Sequence, residues 1–182
     1  GGWFNIASGA DATVGGGDSN DAGGDHATVG GGSANDASGS YATVPGGLDN
    51  TAAGSYAFAA GQRARANNLG CFVWSDGSFP TDVTCNNDNR TIFRSSGGYY
   101  IYTNYNLTSG MYLAAGGSSW NAVSDRALKE NFVAVDTRQL LANLAQIDIS
   151  TWNYLSQDPS IRHIGPMADE FNALVAGLGG EG

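Results

Sequence analysis

A fifteen-residue period over the first third of the chain constrains the fold more than any other feature. Ala7, Ala22, Ala37 and Ala52 recur at that interval, as do Gly9, Gly24, Gly39 and Gly54, and then Ala12, Ala27, Ala42 and Ala57. Val14, Val29 and Val44 keep the same phase, with Ala59 in the fourth copy; Gly16, Gly31, Gly46 and Gly61 follow, then Asn20, Asn35 and Asn50. Self-similarity in fixed register denotes stacked structural repeats. Within each copy Ala-Thr-Val alternates small or apolar residues with a polar one, as a short half-buried strand does. Glycine and Asn or Asp come next, which places left-handed turns there. Two short strands per repeat, each stacked on its neighbour, make a β-solenoid. Four such coils rise roughly 19 Å at strand spacing. Alanine and valine fill only a thin coil, which buries little apolar area per residue, so association of several chains is expected.

Composition narrows the function classes. Glycine supplies 28 of 182 residues, most of them before position 65, whereas the large side chains follow Leu69. The formal charge of −9 with eight Lys and Arg argues against a nucleic-acid binder, which needs clustered cations to displace counterions. It also argues against an anionic membrane surface. No run of about 18 apolar residues is present, so no membrane insertion is expected. The chain opens at Gly1 in mid-pattern and reads as a piece of a longer one. The Gly15–Asp21 stretch is similar to calcium-binding nonapeptide repeats. Its carboxylates, however, do not recur at ligand spacing, and neither a metal nor a cofactor is expected.

Cys71 and Cys85 have thirteen residues between them. Neither belongs to a CxxC pair, and His26 and His163 are remote, which argues against zinc. Two readings stand: a disulfide closing a Gly/Asp/Asn-rich excursion in an oxidising compartment, or two free thiols. A loop of this length would gain roughly 3 kcal/mol from closure. From Gly70 to Trp120 aromatic and β-branched runs alternate with Gly, Asn and Ser turns, predicting an antiparallel β-domain interleaved between subunits. Its aromatics read as core and interface ahead of a sugar-stacking surface. Asn89-Arg90-Thr91 and Asn106-Leu107-Thr108 match the glycosylation sequon.

Beyond residue 120 the pattern turns to α+β. Thr137 to Gln146 has helical periodicity, with Leu140, Leu141 and Leu144 on one face and Asp136 as N-cap. A strand is predicted over Asp148 to Tyr154, and Pro166 suits the first turn of a second helix reaching Val175. His163 reads as a structural residue.

Two resemblances add to this reading. Ala52-Ala53-Gly54-Ser55-Tyr56-Ala57-Phe58-Ala59-Ala60-Gly61 and its sister repeats over about residues 7–66 resemble the heads of trimeric autotransporter adhesins. That likeness implies left-handed parallel β-rolls packed as trimers on a bacterial surface. The Gly-Gly-Gly inserts depart from it. Ser124-Asp125-Arg126-Ala127-Leu128-Lys129-Glu130-Asn131-Phe132, Ile149 to Tyr154, and Arg162 to Phe171 closely resemble, in order and spacing, the intramolecular chaperone domain of phage endosialidases and tail fibres. That family implies trimer assembly followed by autoproteolysis between Val123 and Ser124, with Ser124 as nucleophile and Lys129 as its base. Lysine can serve so when desolvation leaves it neutral. The bland alternative is a helix-capping Ser124 and a solvated Lys129.

The fold expected is therefore mainly β. It comprises a thin solenoid shaft over 1–67, an antiparallel connector with a disulfide loop over 68–120, and a truncated chaperone-like α+β domain over 121–182. The expected function is a structural subunit of an extracellular, cell-surface or virion homotrimeric fibre, with at most single-turnover self-cleavage. Competing readings are an uncleaved filament subunit and a tailspike fragment that binds surface glycans or a host receptor. A glycosidase would need two carboxylates across one cleft, and no such pair stands out.

Overall fold

The computed structural model describes residues 1–123 and 129–175. They form two compact units, the first carrying residues up to 123 and the second residues from 129. Over the described residues the protein is mainly β, a solenoid of about six turns with two helices and a small C-terminal α+β region.

Each coil of the shaft contributes a strand to two parallel ladders. On one face Thr13–Val14, Thr28–Val29 and Thr43–Val44 stack in register fifteen residues apart, and Phe58–Gln62 follows. On the other, Ile6–Ala7 pairs with Asp21–Ala22, and bridges carry the column through Asp36 to Thr51 and on to Arg65. The threonines stand outward, while Val29 and Val44 are fully buried between the faces. The rest of this core is small: Ala22, Ala27, Ala37, Ala42, Ala52 and Ala57 are sealed from solvent. Small side chains let the two ladders lie close across the core, and glycine is demanded where the backbone of one coil stacks on the next. At Gly32 (φ 88°) a Cβ would collide with the carbonyl of Gly47 on the next coil. At Gly39 the backbone is unstrained, but a Cβ would strike Gly54 in the same way.

The repeated asparagines are not turn residues. Asn20, Asn35 and Asn50 are at most 1% exposed and stack into a ladder of amides. Asn35 Oδ1 accepts from the backbone N–H and Nδ2 of Asn50, at 3.1 and 3.0 Å. Asn35 Nδ2 lies 3.0 Å from Asn20 Oδ1, from Gly31 O in its own coil and from Gly47 O in the next. The ladder ends where Asn50 Oδ1 accepts from Ala64 N. The left-handed positions are instead the residues just before, Ser19, Ala34 and Asp49, and a second column of Asp11, His26, Tyr41 and Tyr56, all with φ between 54° and 59°. Such a conformation costs about 1 kcal/mol for a side-chain-bearing residue. It turns each N–H toward the preceding coil: Ala34 N donates to Asp18 O at 3.0 Å, and Tyr41 N to Asp25 O at 2.8 Å.

The shaft continues past residue 67, which corrects the expectation of antiparallel pairing over 68–120. Phe72–Ser75 pairs in parallel with Phe58–Gly61, Thr91–Arg94 pairs in parallel with Phe72–Ser75, and Val83–Cys85 pairs in parallel with Ala64–Ala66. The fifteen-residue period is lost because Phe58 meets Phe72 fourteen residues on, and Phe72 meets Thr91 nineteen residues on. Of the described strands between Phe72 and Ala122, only Tyr99–Tyr102, Gly110–Leu113 and Trp120–Ala122 form an antiparallel sheet. Cys71 and Cys85 are joined by a disulfide inside the core of the last coils.

Among the described residues three buried polar atoms stay without a partner, Asp21 Oδ1, Tyr99 OH and Trp152 Nε1, and the repeat explains the first. In the third coil Ser38 bonds the carboxylate of Asp36, but the second coil has Gly23 at the equivalent place, and Asp21 Oδ1 is buried and unpaired. A Cβ on Gly23 would sit 3.6 Å from that oxygen, an ordinary contact, with no positive φ to forbid it. Gly23→Ser is therefore expected to raise stability by about 1 kcal/mol through a charge-assisted bond and a stiffer unfolded chain. Asn35→Ala leaves several buried groups unpaired and is expected to cost about 3 kcal/mol. Denaturant titration followed by circular dichroism checks both. An unchanged midpoint for Asn35→Ala would remove the amide ladder from this account.

Candidate functional site

The residue before the expected scissile bond is held by the antiparallel sheet. The chain runs out of Trp120–Ala122 and Val123 donates its N–H to Gly110 O at 2.9 Å. Val123 is half-buried there. Ser124, the expected nucleophile, lies outside the described residues together with Asp125, Arg126, Ala127 and Leu128. Lys129, the expected base, is exposed.

The C-terminal unit is built from two helices and a hairpin. Helix α1, Thr137–Leu144, starts at Asp136, whose Oδ1 accepts from Arg138 N at 2.9 Å and Gln139 N at 3.2 Å. These bonds satisfy amide groups that a helix start leaves open. The helix stops two residues short of the sequence expectation because Gln146 N and Ile147 N bond three residues back, tightening the last turn. Helix α2, Ala168–Val175, opens with Asp169 and Glu170, which suit the positive end of the helix dipole. Asn143 Nδ2 donates to Leu174 O at 3.1 Å and ties the helices together. No residue of α1 is buried, and Leu141 and Phe171 are 66% and 41% exposed. The apolar side of this pair is thus uncovered within the described chain.

Between the helices Ser150–Trp152 pairs antiparallel with His163–Gly165. Trp152 stacks on His163 at 4.6 Å, Tyr154 meets the Trp152 ring edge-on at 4.9 Å, and His163 Nε2 lies 2.8 Å from Gln157 Oε1. His163 is thus a packed ring. Arg162 clamps the outer strand through Thr151 O at 2.7 Å, Thr151 Oγ1 at 2.8 Å and Asn153 Oδ1 at 3.2 Å. Ser160 donates both its N–H and its hydroxyl to Asp158, holding that carboxyl below its ordinary range. A cavity of about 440 Å³ lies beside the hairpin, lined by Trp152, Asn153, Tyr154, Pro166, Met167 and Ala168. Trp152 Nε1 is buried without a partner.

The far end of the shaft is braced by features the sequence did not reveal. Arg94 gathers the excursion after Ser75: its guanidinium donates to Asp76 O at 2.8 Å, Phe79 O at 3.0 Å and Thr81 O at 2.8 Å. Asp76 in turn accepts from Ser96 N at 2.6 Å and pairs with Arg94 Nε at 3.1 Å. The Ser96 N–H, with the Ser78 and Ser96 hydroxyls, holds the Asp76 carboxyl well below the usual carboxylate range. Along the shaft, His26, Tyr41 and Tyr56 stack at 4.8 and 5.2 Å, a column produced by their shared left-handed turn position. Among the described residues no group of three or more His, Cys, Asp or Glu could hold a metal ion, and no helix is long and apolar enough to cross a membrane.

Residues 124–180 match the family described as Chaperone of endosialidase, a peptidase class. No curated protein matches the chain. A β-solenoid that carries a chaperone-of-endosialidase domain fits a phage tail-fibre-like trimeric fibre.

Proposed function

We propose that this chain is a structural subunit of an extracellular homotrimeric fibre of the phage-tail or surface-adhesin type, whose C-terminal segment templates assembly and then cuts itself free. The match at residues 124–180 carries the reading. It is supported by the thin Ala/Val core of the shaft and by the uncovered Leu141 and Phe171, which associating copies would bury. In the proposed cut, Lys129 takes the proton of the Ser124 hydroxyl, and Oγ attacks the carbonyl carbon of Val123. The Val123–Ser124 amide bond breaks, leaving an ester and the freed Ser124 amine, which receives the proton from Lys129. Water then hydrolyses the ester to a Val123 carboxylate and regenerates the serine. Holding Val123 on Gly110 would fix the acyl side of this bond on the assembled sheet, a positioning effect of the kind that makes intramolecular reactions fast. Loss of the template would make the fibre kinetically locked.

A second reading, a spike that binds surface glycans or a host receptor, rests on exposed rings such as Tyr100 and Trp120; binding to a glycan array tests it.

The intact mass of the natural full-length polypeptide, with Ser124→Ala and Lys129→Ala versions beside it, tests the cut. Cleavage between Val123 and Ser124 that both substitutions abolish is expected. A chain that stays whole in all three would sink the self-cleavage and leave an uncleaved filament subunit.

A further inference from the structure

The outward row of the threonine face changes character along the shaft. Thr13, Thr28 and Thr43 stand in register, and Phe58 and Phe72 then occupy the same row. The neighbouring row runs from Ala60, which is buried, to Trp74 and Phe93, which are exposed. Phe58 and Phe72 lie parallel at 4.5 Å, Phe72 meets Phe93 at 5.6 Å, and Phe93 meets Tyr99 at 6.2 Å. The band thereby runs into a groove of about 450 Å³ lined by Phe93, Tyr99, Tyr100, Ile101, Leu113 and Trp120. Trp74, Phe93, Ile101 and Trp120 are between 38% and 57% exposed. Contiguous exposed apolar surface of this kind marks a contact site. Neither row and no residue of the groove carries a charge. The opposite face has Asp21, Asp36 and Arg65 in its outward row, with Asp49 and Asp82 bonded to that arginine.

We infer that this aromatic band is the surface on which a second copy of this chain seats, side by side and in the same direction; the inference rests on the fibre reading above. Charge selects the occupant's approach. Each copy carries a formal −9, so two copies meeting through the aspartate face would bring like charges together, whereas the band lets them meet without a carboxylate. The row also fixes register. Coils repeat at the same spacing in every copy, so alignment at one level sets ring against ring, and a slip of one coil sets Phe58 against a threonine. The polar threonine rows above provide no such preference, so the band decides how the copies align.

Hydroxyl-radical footprinting of the natural assembled protein, with copy number read by native mass spectrometry, tests this. Trp74, Phe93 and Trp120 are expected to be oxidised far more slowly than Trp3, Phe79 and Tyr105, which are at least 61% exposed in the single chain. The double variant Trp74→Lys with Phe93→Lys is expected to run as single chains while keeping β circular dichroism and the Cys71–Cys85 bond. Thr84→Lys, on the opposite face, is expected to stay assembled. An assembled protein whose Trp74, Phe93 and Trp120 react as fast as Trp3 overturns the band as the contact and leaves the fibre reading standing. A wild-type protein that runs as a single chain overturns both.

Discussion

The shaft depends on one buried hydrogen-bond column, the amides of Asn20, Asn35 and Asn50. Asn35 joins its own coil to the coils on both sides, since Nδ2 donates to Asn20 Oδ1 in the preceding coil while Oδ1 takes the backbone and side-chain N–H groups of Asn50 in the next. A polar group sealed this fully is tolerable only when its bonds are made. The ladder makes all of them by repetition, so an amide at one level needs an amide at the next. Other requirements follow from it. The carbonyl of Gly47 must approach Asn35, which leaves no space for a Cβ on Gly32. The residue before each asparagine turns left-handed and hands its own N–H back to the previous coil.

A column of this kind specifies stacking but contributes little apolar burial, and the thinness of the core shapes the rest of the molecule. Where the asparagine ladder stops at Ala64, other devices take over: Val73 and the Cys71–Cys85 bond in the interior, Arg94 drawing in the long excursion, and aromatic side chains along the outer row. The surface therefore changes from threonine-rich to ring-rich just where the coils become irregular. The C-terminal unit shows the same incompleteness in another form, since α1 has a well-made cap and an apolar side that none of the described residues buries.

Part of this was legible in the sequence and part was not, for identifiable reasons. The fifteen-residue period and the Ala-Thr-Val alternation are local signals, and they are enough to predict short strands stacked as a solenoid. Asp136 as N-cap is local too. The role of the asparagines is not legible because Asn is common in turns, and its burial depends on three coils superposing, which no single repeat displays. The last coils read as an antiparallel domain because one is a residue short and the next carries an insertion, so the period vanishes while the parallel stacking persists. The aromatic band is equally hidden: Phe58, Phe72 and Phe93 share no interval in the sequence and meet only through strand register. At the junction the reverse holds. Ser124 and Lys129 stand out by motif, and the anchoring of Val123 on Gly110 is visible only in the fold.

The central claim is that three copies of this chain complete what one chain leaves uncovered. Sedimentation equilibrium of the natural protein over a range of micromolar concentrations tests it most directly. The account predicts a single species with three times the chain mass that does not dissociate on dilution. A well-folded, disulfide-bonded species at the mass of one chain, stable across the same range, would contradict it.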